Sequence, residues 1–393
     1  MDAALSPGGG LESHIATSYC RRMRTEQITL SPLAPGANLS LTVHRFGKEG
    51  ARPRAYVQAA LHADEIPGMI VAHHLREQLK ALEAEGRIEG EIVLVPSANP
   101  IGLAQKVLGE PVGRFDLSNG MNFNRGYPNV IGDVGNRVEG SLTGEADSNV
   151  RLIRDALLTE LSAWKTRNAA EVLKKTLLEL AIDADYVLDM HCDSEAVVHL
   201  YTHTLSSDEL APLAALLGSR AVLVAEISGD DPFDEACSRP WAELAGRFPD
   251  YPIPMACHAT TLEFRGEMDV TDELAASDAA ALIAFLTLRE VIGGPAPHIP
   301  DARCEATPLA GSEPVIAPAS GMVIFRKAVG DDIRAGEVVA DIVDPLTGDA
   351  HPAVSATDGI MFARILLRFA STGQRIAKVA GRTSTRTGNL LGA

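Results

Sequence analysis

The sequence predicts an α/β protein, with a mixed, mostly parallel central sheet flanked by helices and a small all-β barrel-sandwich after it. Three observations carry this. Apolar strand-like runs alternate with helix-length periodic segments between residues 55 and 291. Helical patterning stops after a Pro-rich stretch, PAPHIP at 295–300. The short β-like segments beyond it contain an approximate internal repeat.

Taken in order, residues 26–33 (QITLSPLA) and 39–46 (LSLTVHRF) alternate apolar and polar, as half-buried strands do. Residues 55–61 (AYVQAAL) read as a buried strand that ends at His62-Ala63-Asp64-Glu65. Pro67 suits the first turn of the next helix, where no intrahelical N–H is needed, and Gly86 suits its stop. Residues 91–97 (EIVLVPS) supply the next buried strand, and strand–helix–strand in this order implies a parallel unit. Residues 109–149 are rich in Gly, Asn, Pro and Asp and predict a long loop, a feature usually tied to function or disorder. Helical patterning returns over 150–182. Strands are expected at 185–191 (DYVLDMH), 197–203, 220–227 and 258–264 (HATTLEF), with a helix over 207–220. Thr271 is placed to cap a helix over 271–291, stopped by Gly293-Gly294.

Past the linker, APASGMV at 317–323 is echoed by SATDGIM at 355–361, and GEVVADI at 336–342 by GQRIAKV at 373–379. Two such copies fit a sandwich with a pseudo-twofold axis. The expected organisation is a flexible leader (1–25), a large α/β domain (26–294), a small β domain (300–380) and a loose tail (381–393).

Composition bounds the function. The 393 residues are 46% hydrophobic and 22% charged, too apolar for a disordered chain. A net charge of −17 argues against nucleic acid, whose phosphates demand a basic face. No apolar run approaches the ~18 residues of a membrane span. Five scattered cysteines without a CxxC pair read as free thiols in a reducing compartment. With no secretory signal recognised at the N-terminus, a cytoplasmic protein of enzyme size is expected.

Four short motifs carry the chemistry. His62-x-x-Glu65 at a strand end can place an imidazole and a carboxylate on one ion. Asp189-Met190-His191 ends another apolar strand and can supply the third ligand, at the strand ends where open α/β sheets put their sites. Asn122-Phe123-Asn124-Arg125 offers an amide and a guanidinium suited to a carboxylate. In Thr261-Leu262-Glu263-Phe264-Arg265-Gly266, a Glu in an apolar strand has its pKa raised by desolvation, which tunes it for proton transfer. Each has an ordinary reading too: a surface loop, a satisfied polar strand end, a solvated Arg, a Glu paired with Arg265.

In this order, HADE (62–65), GRFDLSNGMNFNRGYP (113–128), DMH (189–191) and LEFRG (262–266) resemble the zinc metallocarboxypeptidase superfamily. The resemblance is closer to its succinylglutamate desuccinylase/aspartoacylase branch and spans about residues 29–292. It implies a zinc carboxypeptidase-like fold and one Zn²⁺ held by His62, Glu65 and His191. Glu263 would act as general base and then acid, and Arg114 would polarise the scissile carbonyl. Asn124 and Arg125 would grip the carboxylate of a small substrate. The implied activity is deacylation of small N-acyl amino acids or related compounds. A carboxypeptidase acting on short peptides and a non-catalytic zinc-binding relative are the alternatives. No nucleic-acid or membrane partner is expected, and a homo-oligomer is left open. One departure stands out. Relatives often carry an acid where this chain has Asn122, so Asn122, Asp64 or Asp189 is left to orient the zinc histidines. The β domain resembles a biotinyl/lipoyl-like fold but lacks the carrier Lys at its hairpin tip, Ala356-Thr357-Asp358-Gly359.

Overall fold

The computed structural model describes residues 23–31, 34–36 and 38–391. Most of the expected leader lies outside these residues. Its last two, Arg24 and Thr25, belong instead to strand Arg24–Thr29, because they pair with Arg45 and His44 of strand Ser40–Gly47.

The expected strands, joined at one edge by an unexpected one, assemble into a nine-stranded sheet. Its order is Arg24–Thr29, Ser40–Gly47, Glu91–Val95, Arg54–Ala59, Tyr186–Asp193, His258–Gly266, His199–His203, Ala221–Ala225 and Ala306–Pro308. The four strands from Glu91–Val95 to His258–Gly266 run parallel. His199–His203 then pairs antiparallel with His258–Gly266, so strand direction reverses at that point. Successive side chains in a strand face opposite ways, and the sheet buries both faces. Tyr56, Val187 and Ala259 pack under helices Ala146–Ala163, Ala169–Ala181 and Phe233–Arg247. Val57, Leu188 and Leu262 pack under Pro67–Ala84, Ser207–Leu216 and Asp272–Leu288.

Several local expectations hold with physical detail. Pro67 opens its helix, and Gly86 follows the end with φ of 71°. Thr271 caps through its hydroxyl, which accepts from Leu274 N–H at 3.2 Å. That helix stops at Leu288, earlier than Gly293-Gly294 suggests, with Glu290 already left-handed at φ of 57°. Two of the longer helices escape the sequence pattern. Ile131–Val138 lies inside the predicted loop, and Phe233–Arg247 contains Pro240.

The C-terminal region is antiparallel throughout. One sheet joins Ser312–Ile316, Arg375–Gly381, Gly359–Arg364 and Asp332–Ile333, and the other joins Ala350–Val354, Val338–Val343, Gly321–Phe325 and Phe369–Ala370. They enclose a core of Val323, Val339, Ile342, Met361, Ile376 and Val379. The repeated segments thus supply matching strands to the two sheets. Residues 306–308 depart from the expected organisation, since they add an edge strand to the large sheet. The tail is not loose either. Leu390 and Leu391 donate N–H groups to Ser228 O, and Leu390 is buried beside Leu309 and Tyr201. Glu195-Ala196 of the large region pairs with Arg364 and Ala363, tying the two parts together.

Candidate active site

Arg54–Ala59, Tyr186–Asp193 and His258–Gly266 are neighbours in the parallel part of the sheet, and HADE, DMH and LEFRG sit on or just past them. Glu263 stands directly opposite His191 in the ladder. A register irregularity between Glu263 and Gly266, with Arg265 left-handed at φ of 63°, interrupts the strand just after Glu263. Arg265 turns away and makes a bidentate pair with Asp278 at 2.7 and 2.8 Å, so it does not neutralise Glu263.

His62, Glu65 and His191 are all buried, and their ligand atoms lie within 4.8 Å of one another. Oxygen atoms face both nitrogens of each imidazole. His62 Nδ1 is 2.9 Å from Glu65 Oε1, and its Nε2 is 2.9 Å from Asn122 Oδ1. His191 Nδ1 is 2.7 Å from Glu65 Oε2, and its Nε2 is 3.0 Å from Asp189 Oδ2. A neutral imidazole has one N–H, so two neutral rings cannot satisfy four oxygens. Burial opposes charge on His191, but the neighbouring Asp189 and Glu65 carboxylates hold its pKa well above the usual imidazole range. Burial lowers the His62 pKa and favours its neutral form. Burial alone would raise that of Glu65, but the two imidazoles hold it well below the usual carboxylate range.

The outer contacts explain the aim of both rings. Asn122 takes the orienting role for His62 despite being uncharged, while Asp189 stands behind His191. Asp189 is itself fixed by Gln58 Nε2 at 2.9 Å, which accepts at Oε1 from Tyr56 OH at 2.8 Å. Asp64 instead anchors the next loop by accepting from Gly113 N–H at 2.9 Å. A Cβ at Gly113 would sit 2.3 Å from Asp64 N, so only glycine lets this loop approach HADE and deliver Arg114. Arg114 Nη2 donates to Glu65 Oε1 at 2.7 Å.

Glu263 lines the same pocket, and its Oε2 is buried without a hydrogen-bond partner. Burial, reinforced by the Glu65 charge, pushes its carboxyl up to about 8. Arg125 also lines the pocket. Its Nη1 donates to Asn124 O at 2.6 Å, and its Nε is buried without a partner. Asn124 accepts Phe233 N–H at 2.9 Å through Oδ1, which leaves its Nδ2 toward the pocket, 3.5 Å from His191 Nε2. All seven residues singled out from the motifs therefore meet in one place.

The catalytic-domain pattern of the succinylglutamate desuccinylase/aspartoacylase family matches residues 51–289, well over half of the chain. The chain belongs to this family of deacylases. No curated protein sequence matches it. Among solved structures, it is similar to a succinylglutamate desuccinylase/aspartoacylase family protein from Shewanella amazonensis SB2B. The identity is 27% with a TM-score of 0.80, covering 91% of this chain and 98% of the other. A protein assigned to the same family from Shewanella frigidimarina NCIMB 400 gives 25% identity and a TM-score of 0.81, covering 92% and 97%. The ectoine utilization protein EutE (DoeB) from Ruegeria pomeroyi shares the fold at 17% identity and a TM-score of 0.61, covering 92% and 96%.

Beyond the motif residues, this member of the desuccinylase/aspartoacylase family builds its pocket walls from residues the motifs did not flag. Lys378 of the C-terminal region pairs with Asp193, and Leu309 and Leu391 close the rim. Asp234 and Glu235 open helix Phe233–Arg247 and line another wall. Lys174, fully buried, donates to Asn122 O at 3.0 Å and Arg125 O at 2.5 Å, and so staples the Asn122–Arg125 loop from beneath. The same loop is held from above by Asp230 O and Asp231 O, which accept Gly126 and Tyr127 N–H. Both acids are left-handed, at φ of 60° and 46°. His203 reaches the pocket, while His199 is buried between Tyr201 and Phe362. Cys192, Cys237, Cys257 and Cys304 are free thiols. Among the described residues, no helix is long and apolar enough to cross a membrane.

Proposed function

We propose that the protein is a zinc-dependent deacylase that cleaves the amide bond of small N-acyl amino acids or related carboxylated compounds. The observation that carries this is the convergence of buried ligand atoms from His62, Glu65 and His191 within 4.8 Å of one another, next to Glu263, whose Oε2 has no hydrogen-bond partner. Two imidazoles and a carboxylate, each aimed by an outer contact, are a donor set that fits zinc and leaves a position for water. When bound there, zinc would polarise a water molecule and the scissile carbonyl, lowering the barrier to attack.

The chain's own groups do the rest. Glu263 can accept a proton from the attacking water and hand it to the departing nitrogen, a double role that suits a carboxyl with a pKa near neutrality. Arg114, beside Glu65, supplies positive charge where the carbonyl oxygen becomes negative. Arg125, with its unpaired Nε, and the Asn124 amide receive the substrate carboxylate. The pocket holds about 150 Å³, on the order of ten water-sized groups, which favours a small substrate over a peptide. The test is a screen of zinc-loaded protein against N-acyl amino acids and short peptides, following free-amine release. Turnover confined to N-acyl amino acids is expected. Faster cleavage of peptides would move the protein to the carboxypeptidase reading.

A further inference from the structure

Residues 385–391 leave the C-terminal sandwich and run back to the pocket. The N–H groups of Thr385 and Arg386 donate to Ala310 O at 3.0 Å each, and the Arg386 guanidinium donates forward to Leu390 O. Leu390 is buried in an apolar cluster with Tyr201, Leu223, Leu309 and Phe362, and Leu391 lines the pocket.

The same residues close on the turn 228–231. Ser228 is 4% exposed, and its N–H already donates to Glu235 Oε1 at 2.6 Å. Its carbonyl accepts from Leu390 N–H at 2.8 Å and from Leu391 N–H at 3.2 Å. A buried carbonyl stripped of its donors costs more than a hydrogen bond gains when made, so this turn is built to be covered. Asn389 Nδ2 donates to Asp230 Oδ1 at 2.8 Å. A Cβ on Gly229, whose φ is 107°, would lie 2.7 Å from Asn389 Oδ1, so the chain passes directly against the turn.

The far side of the turn carries the carboxylate grip. Asp230 O accepts Gly126 N–H at 2.8 Å and Asp231 O accepts Tyr127 N–H at 3.0 Å, immediately after Arg125. Phe233 N–H, two residues past the turn, binds Asn124 Oδ1. Two successive left-handed residues that are not glycine persist only where their surroundings over-determine them. Those surroundings are the Asn122–Arg125 loop on one side and residues 389–391 on the other.

We propose that Asn389, Leu390 and Leu391 are positioning residues for the substrate carboxylate: docked on the turn 228–231, they hold the loop that aims Asn124 and Arg125 into the pocket. The sheet-borne groups, His62, Glu65, His191 and Glu263, do not depend on them. The consequence falls on substrate capture and spares the chemical step. That consequence rests on the deacylase reading, whereas the positioning itself does not.

Amide hydrogen exchange on the full, zinc-loaded chain reads the positioning without any substrate. Leu390→Asp puts a carboxylate into the apolar cluster, and the Gly126 and Tyr127 amides should then exchange roughly tenfold faster or more, with Tyr186–Asp193 and His258–Gly266 unchanged. Asn389→Ala should act in the same direction and more weakly, because its bond to Asp230 is exposed. Leu390→Met, apolar and similar in volume, should keep the wild-type rates, as should Leu391→Ala, which trims the rim but keeps both bonds to Ser228. Unchanged Gly126 and Tyr127 rates in Leu390→Asp overturn the proposal. So does an acceleration shared by the two strands, which would be general loosening.

Kinetics on an N-acyl amino acid that the wild type cleaves reads the consequence. Leu390→Asp should raise KM roughly tenfold and leave kcat within about twofold. In an Arg125→Ala background the same substitution should change KM by less than about twofold, because residues that act through one another are not additive. Additive effects, or a loss of kcat at constant KM, would separate the segment from the grip and overturn the proposal. If the wild type cleaves no N-acyl amino acid, the deacylase reading falls, and the exchange rates still decide the positioning.

Discussion

His62, Glu65, His191 and Glu263 stand on or just past three adjacent parallel strands, whereas Arg125, Asp234, Leu309, Lys378 and Leu391 come from loops, a helix start and the C-terminal β region. In the first group the ladder fixes position: Glu263 faces His191 because His258–Gly266 pairs in register with Tyr186–Asp193. In the second, position depends on a few bonds between distant segments, such as Lys174 under the Asn122–Arg125 loop and Lys378 against Asp193. The reacting groups are thus held by the sheet. The walls can change without disturbing it, as suits a fold that hosts several substrates.

The two groups should respond differently to substitution. Glu263→Gln removes the proton carrier and keeps the shape. It is expected to lower kcat by roughly 10²–10⁴-fold with little change in KM, as general acid–base catalysis implies. A KM effect with kcat intact would mean that Glu263 belongs with the walls. Arg125→Ala should do the reverse. Losing charged hydrogen bonds of about 1.5–3 kcal/mol predicts a rise in KM of roughly 10–100-fold. Steady-state kinetics on one N-acyl amino acid reads both.

Lys378→Met probes the contribution of the C-terminal region. It leaves Asp193 unpaired at the pocket edge but touches no metal-site residue. A change of only a few-fold in KM, with zinc content unchanged, is expected. Loss of bound zinc would show that the wall and the metal site are not separable.

Lys174 sharpens the same comparison through pH. Burial pulls its ammonium down from the usual Lys value to about 8. Between pH 8 and about 10.5 the unfolded chain therefore holds the proton more tightly than the folded one. Stability should rise with pH in that window relative to Lys174→Met, which has nothing to titrate there. Urea denaturation at a series of pH values reads the difference. A flat difference would mean that the buried ammonium is not under the strain its surroundings imply.

The strand-borne half was legible because its signals are local. An apolar run followed by HADE, DMH or LEFRG states both an element and the residue it presents. Even the Asn122 departure could be read as a question, which the geometry answers in favour of Asn122 for His62 and Asp189 for His191. The wall was not legible, for physical reasons. Lys378 reaches the pocket only because a separate sandwich docks through Ala363 and Arg364 on Glu195-Ala196, a pairing across more than 160 residues. Helix Phe233–Arg247 carries an internal Pro240 that local propensity reads against. Helix Ile131–Val138 contains Gly132 and Gly135 and has no capping side chain at Val130, so tertiary packing holds it instead of its own sequence. The tail looked loose because the Ser228 carbonyl that accepts from it lies far back in the chain.

The central claim is that His62, Glu65 and His191 together hold one metal ion, and that deacylation depends on it. The most direct measurement combines elemental analysis of the purified protein with free-amine release before chelation, after it, and after zinc is restored. One zinc per chain, loss of release on chelation and recovery on adding zinc are expected, with binding abolished in His191→Ala. Full release from metal-free protein, or zinc binding that survives His191→Ala unchanged, would contradict the account.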